Sequence, residues 1–270
     1  MVENRSEASG ALNTIGADIP VRYFLEKQLG LSAARNRVFT EAQKRNADWL
    51  ALLDDDVVPM DGWLEEYVRA MQSMPDVRLF YGQYWYRFPN GYSLAIERDS
   101  DSFEAIIEKP VRFGGGNLLM HESLYGVNGI RFDPRFDACG GEDIDLRHQA
   151  VACDVLLAPV PRAVIQEAIS TRRVTLLSGF HRKLDQGVSS LIMLKKYTPP
   201  LAVTVGLLAQ LPLRFIRLLG DWWRALQAYI LLLEERDQLL DTALASSAVF
   251  IGLIMGLCGY RGTYYTRKDK

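Results

Sequence analysis

Cysteine is scarce in this chain of 270 residues, which has only Cys139, Cys153 and Cys258. Three scattered thiols cannot build a disulfide framework or a zinc site, and they fit a reducing surrounding for the soluble part. An excess of positive charge is also lacking, because 31 Lys and Arg face 33 Asp and Glu. Nucleic-acid binding rests on a basic surface that neutralises phosphates, so no nucleic-acid partner is expected. Residues 1–20 lack a charged start followed by an apolar run, so no secretory leader is expected there. Internal repeats and low-complexity tracts are missing too.

Apolar residues are plentiful at 49% of the chain, but they are spread unevenly. Residues 1–200 read as a soluble domain, and 201–260 are much more apolar. The length suffices for one catalytic domain with an appendage. Along the soluble part, strand and helix patterns alternate, which favours an α/β fold. Residues 20–25 suggest a short strand, and 31–46 carry apolar positions at helical spacing with Ser32 as the expected N-cap. Residues Trp49–Leu53 read as a buried strand that runs into Asp54-Asp55-Asp56. A helix is expected over 61–72, with Asp61 near its positive end. Strands are expected at 77–86 and 92–97, and a helix within 140–152. A glycine-rich turn, Gly114–Asn117, leads into the apolar stretch Leu118–Met120.

Three groups of residues carry chemistry. Adjacent carboxylates repel one another unless a cation or water lies between them. Mg²⁺ and Mn²⁺ are hard ions that take one or two carboxylates together with substrate phosphates. The triplet at a strand's carboxyl end, where α/β sheets bind ligands, therefore suggests a metal and a nucleotide; an acidic turn capping the next helix is the plain alternative. In the second group, Gly140-Gly141 permits close backbone approach, and the carboxylates Glu142, Asp143 and Asp145 follow. One of these suits a general base for a hydroxyl acceptor, although acids are also ordinary at a helix start. The third group is basic: Arg172, Arg173, His181, Arg182 and Lys183 around an expected short helix. It suits either phosphates or a solvated, membrane-facing surface.

In order, these segments resemble family 2 glycosyltransferases of the GT-A fold (Rossmann-like, nucleotide-diphospho-sugar transferases), above all membrane-associated bacterial polysaccharide enzymes. The matching residues are Gly30, Ala34-Arg35-Asn36, Trp49 through Asp56, Gly114 to Asn117, Phe132-Asp133, Phe136 and Gly141 to Leu146. Glu167, Arg173 to Thr175, Arg182 and Gly187 complete the set, which spans about residues 1–190. The resemblance implies a GT-A-like domain over 1–195 and a hydrophobic helical appendage over 196–270. It implies that Asp54 and Asp56 hold Mg or Mn, and that a nucleotide-diphospho-sugar donor meets Asp54, Asp55, Arg35, Asn36, Gly115, Gly116, Arg173 and Arg182. Asp143, with Glu142 beside it, becomes the base of an inverting single displacement. The family's first strand and helix would precede Val2, so they are expected upstream or are lost from a truncated, impaired paralogue. Glu167 stands where many relatives carry a histidine.

The apolar tail falls into two parts. Residues 201–219 are interrupted by Gln210, Pro212, Arg214 and Arg217 and suit an interfacial or re-entrant piece. Residues 242–260 carry no charge and have the length to cross a bilayer of about 30 Å. Gly252, Gly256 and Gly259 suit close packing against another helix. Trp222 and Trp223 fit the headgroup level, and the basic end 261–270 favours a cytoplasmic face. With the resemblance, this implies an inner-membrane enzyme whose catalytic domain faces the cytoplasm. Its acceptor would be lipid-linked or a polysaccharide. A different chemistry fits Asp54-Asp55-Asp56-Val57-Val58 alone, namely a haloacid-dehalogenase-like phosphatase with Asp54 as nucleophile. That motif opens such domains, whereas here more than fifty residues precede it.

Overall fold

A computed structural model describes residues 1–5, 21–87 and 111–263, which form two compact units. The expected strand at 92–97 lies outside the described residues.

The first unit is an α/β layer structure, as the alternating pattern suggests. Two short strands, β1 (Val2–Asn4) and β2 (Phe24–Glu26), pair in parallel. The Asn4 amide donates to Gln28 O at 2.6 Å and accepts from Gly30 N at 2.8 Å, tying this pair to the start of α1 (Leu31–Gln43). A five-stranded sheet follows, in the order β3 (Trp49–Leu53), β6 (Asn117–His121), β5 (Leu79–Arg87), β7 (Leu157–Ala168), β4 (Val57–Pro59). Strand β6 runs antiparallel to both β3 and β5, and β4 runs antiparallel to β7.

Side chains on a strand alternate between faces, and the core divides accordingly. On one face Leu52, Leu79, Leu118 and Met120 pack with Phe39 of α1 and with Leu146 and Ala150 of α4 (Glu142–Ala152). On the other, Phe80, Leu119, Val160 and Ile165 pack with Trp63, Tyr67 and Ala70 of α2 (Trp63–Ser73). The only fully buried polar side chain on β6, Asn117, satisfies its amide completely among the described residues. It accepts from Trp63 Nε1 at 2.8 Å and Tyr67 Oη at 2.9 Å, and donates to the carbonyls of Gln83 and Ala163. A short helix, α3 (Glu122–Tyr125), closes the turn after β6.

Two helix starts differ from the sequence expectation. Ser32 is not the cap of α1; Gly30 is, and Ser32 lies inside the helix, buried. Its backbone N–H donates to Asp137 Oδ1 at 2.8 Å, so a carboxylate far along the chain satisfies the exposed end of the helix. Helix α2 starts at Trp63 rather than Asp61, after Gly62 in the left-handed region.

The second unit is helical. In place of a short helix near 172–183, a 3-10 turn at Thr171–Val174 precedes a 22-residue helix, α5 (Leu176–Tyr197). Thr175 caps it, its hydroxyl accepting from Ser178 N at 3.1 Å. The segment 201–219, read from the sequence as an interfacial or re-entrant piece, lies within one 31-residue helix, α6 (Pro200–Ile230), with Pro212 inside it. Helix α7 (Arg236–Leu257) packs against both α5 and α6. Against α5 the approach is very close, and a Cβ on Gly252 would overlap the Leu184 backbone, while one on Gly187 would overlap the backbone at Val249. Gly252 and Gly256 thus meet α5 as the sequence suggests, and Gly259 lies beyond the helix end. Between α6 and α7, Trp222 Nε1 donates to Ser247 Oγ at 2.9 Å and Ser246 Oγ to Asp221 Oδ2 at 2.7 Å. Helices α6 and α7 are long and apolar enough to cross a membrane.

Candidate functional site

Strand β3 is the local cause of the site. Its run Trp-Leu-Ala-Leu-Leu stays in the sheet, and the chain leaves the sheet at Asp54, because three successive carboxylates cannot be buried together without partners. Asp54 turns inward and is 33% exposed at its side chain; Asp55 and Asp56 turn outward and are exposed. The β4–β7 register sets Val57 opposite Glu167, so Glu167 stands next to the end of the acidic triplet.

Asp54 meets Arg35, which comes from the first turns of α1. One guanidinium nitrogen, Nη2, donates to both Asp54 oxygens at 2.9 and 3.0 Å, and the other, Nη1, donates to Glu142 Oε1 at 2.9 Å. The Phe132 ring lies 5.1 Å from the guanidinium carbon. Burial opposes the charge of Arg35, but the two carboxylates outweigh it and hold its pKa above the ordinary value. The floor beneath is glycine for a steric reason. A Cβ at Gly115 would collide with the Arg35 guanidinium, and one at Gly116 with the Asp54 carboxylate. Gly116 N donates to the Tyr84 hydroxyl at 2.9 Å. Burial, with the Asp54 charge beside it, pushes that hydroxyl's pKa up, so it stays protonated.

Glu142 opens α4, whose first turn carries Glu142, Asp143 and Asp145, where the helix dipole favours negative charge. Burial, aided by the neighbouring Asp143, pushes the Glu142 carboxyl up, and Arg35 partly offsets this. Asp143 is raised too, first by burial and also by the Asp54 charge, against the Ile144 N–H it accepts at 2.7 Å. Asp145 is fully buried and receives Gln149 Nε2 at 2.7 Å, so it serves the helix.

The structure therefore brings Asp54, Arg35, Gly115, Gly116 and Glu142 together within the first unit, with Asp143 next in the chain. Asn36 is occupied elsewhere, since its amide exchanges two 2.9 Å hydrogen bonds with the backbone of Phe132 and so fixes the loop before Asp137. Arg173 and Arg182 lie on the second unit, in the 3-10 turn and on α5. Among the described residues no group of three or more His, Cys, Asp or Glu side chains forms a metal cage. The carboxylates expected to hold Mg or Mn are placed differently: Asp54 accepts from Arg35 through both oxygens and is partly exposed, and Asp56 is exposed. Sequence reasoning missed Tyr84 and Asp137. Tyr84 and Tyr86 stack at 6.1 Å, and this i, i+2 aromatic pair on β5 was a readable signal. Asp137 carried no local signal at all.

Residues 7–126 match the model of a family described as glycosyl transferase family 2. No curated protein matches the chain. Among solved structures, one titled "Crystal Structure of a Mycobacterial Protein" is 16% identical, with a TM-score of 0.39. It covers 70% of this chain, which spans 62% of that one.

Proposed function

This chain carries a glycosyl transferase family 2 domain over residues 7–126, and on that premise we propose that it moves a sugar from a nucleoside-diphosphate donor to a hydroxyl acceptor with inversion. The observation that supports this most is the convergence of Asp54 and Glu142 on one buried Arg35 above the Gly115–Gly116 floor. Asp56 and the outer face of Asp54 would hold Mg or Mn, which supplies positive charge opposite the leaving diphosphate. Asp55 lies beside them at the donor's phosphates.

The rest of the chemistry belongs to the chain's own carboxylates. The acceptor oxygen forms its bond to the anomeric carbon while that carbon's bond to the phosphate oxygen breaks. Asp143 takes the acceptor's hydroxyl proton, and the nucleoside diphosphate departs. A base works best when its pKa lies near the working pH, and the upward push on Asp143 moves it in that direction. Glu142, held by Arg35, fixes the first turn of α4 that carries Asp143.

The two apolar helices, α6 and α7, suggest membrane association. We place the enzyme at a bacterial inner membrane, with the catalytic domain on the cytoplasmic side and a lipid-linked or polysaccharide acceptor. The test is turnover of UDP-, GDP- and dTDP-sugars by the full chain in lipid vesicles, with and without a membrane extract as acceptor source. Release of nucleoside diphosphate that depends on Mg²⁺ or Mn²⁺ and on the extract is expected. Release of phosphate from a simple phosphomonoester, with no sugar-nucleotide turnover, would establish a phosphatase instead. Full turnover with a soluble acceptor and no lipid would remove the membrane acceptor from the account.

A further inference from the structure

Arg35 joins the two ends of the site, and the way it does so limits what else it can do. Its partners come from separate elements, Asp54 from the end of β3 and Glu142 from the start of α4, and each receives a full-strength hydrogen bond. The side chain is only 6% exposed. Gly115 presses on the guanidinium so closely that a Cβ there would displace it. Both terminal nitrogens are committed to carboxylates, and Nε is buried without a hydrogen-bond partner. A phosphate arriving from solvent meets a guanidinium that is almost wholly covered and whose two terminal nitrogens already donate to carboxylates. A planar fork between two carboxylates has one geometry, which a lysine's single ammonium does not reproduce.

We propose that Arg35 is a positioning residue for sugar transfer, a fixed spacer between Asp54 at the donor end and Glu142 at the acceptor end, and that it does not grip the donor diphosphate. This rests on the glycosyltransferase reading above. Asp143 is the next residue after Glu142 in the same helical turn, so the spacer also sets where the base points.

The experiment uses the full chain in vesicles and reads two quantities, the affinity for UDP, GDP and dTDP with Mn²⁺ by calorimetry and the turnover number. Arg35→Lys is expected to lower turnover by about 100-fold, the cost of misplacing reacting groups, with diphosphate affinity changed by less than about threefold. Combining it with Glu142→Gln should cost no more than the worse single change, because both break the same link. A loss of affinity as large as the loss of turnover, or additive losses in the double variant, overturns the proposal. Should Arg35→Lys not fold, Gly115→Ala decides, because it pushes the guanidinium aside without altering charge. Lost turnover at retained affinity supports the spacer, and full turnover overturns it. Wild-type protein that neither binds a nucleoside diphosphate nor turns over a sugar nucleotide overturns the glycosyltransferase reading itself, and the spacer with it.

Discussion

At the scale of single residues, Asp143 is the group whose surroundings say most about the reaction. Burial and the charge on Asp54 raise its pKa above the ordinary 3.8, and Arg35 opposes them. A base must be ionised, so kcat/KM should fall as pH drops through this raised value. The acid limb of the pH profile is therefore expected above 3.8, and a limb at or below that value would contradict the assignment. The same shift has a sign for stability. A carboxyl with a raised folded pKa contributes stability below its unfolded pKa and loses that contribution as pH rises through the folded value. Asp143→Asn should therefore raise Tm at pH 7 while removing transfer. The sequence displayed Asp54, Glu142 and Asp143 as separate acidic signals, but not their common partner. The link from Arg35 to Glu142 was not readable, because α4 begins more than a hundred residues later in the chain.

Among the elements, strand β3 and helix α2 were legible because each carries its own pattern: an unbroken apolar run, or apolar positions at helical spacing. Strand β7 was not. Its sequence, LAPVPRAVIQEA, contains Pro159 and Pro161, residues that argue against a sheet interior. Its pairing with β4 is confined to Ile165–Glu167, beyond both prolines. Helix α6 carries Pro212 and two arginines within one continuous helix. An interior proline costs roughly 3 kcal/mol in water, and long apolar helices tolerate one where neighbours satisfy the freed carbonyl. The contact of α5 with α7 depends on small residues. Gly252→Leu, which drives a side chain into the Leu184 backbone, should destabilise the second unit by roughly 1–3 kcal/mol or more. Thermal unfolding in detergent reads this directly, and an unchanged Tm would show that the close contact does not support the fold.

For the whole molecule, the account joins a match to the glycosyl transferase family 2 model over residues 7–126, a near-neutral charge, and two apolar helices. Two of these were visible in the sequence in outline: the ordered motifs resembled the family whose model matches residues 7–126, and the uneven hydropathy marked the apolar helices. Long-range links were not visible, because Asp137 at the start of α1 and Glu142 on Arg35 are facts of packing rather than of local pattern. The central claim is a division of labour in which the acidic triplet holds the donor and Asp143 serves the acceptor. Calorimetric titration of the full chain with a nucleoside diphosphate and Mn²⁺ tests it most directly, run on the wild type, Asp56→Ala and Asp143→Ala. The expected result is an affinity lowered at least about tenfold by Asp56→Ala, the scale of losing a charged ligand contact of about 1.4 kcal/mol, and left nearly unchanged by the transfer-dead Asp143→Ala. Equal loss of affinity in both variants would contradict the division.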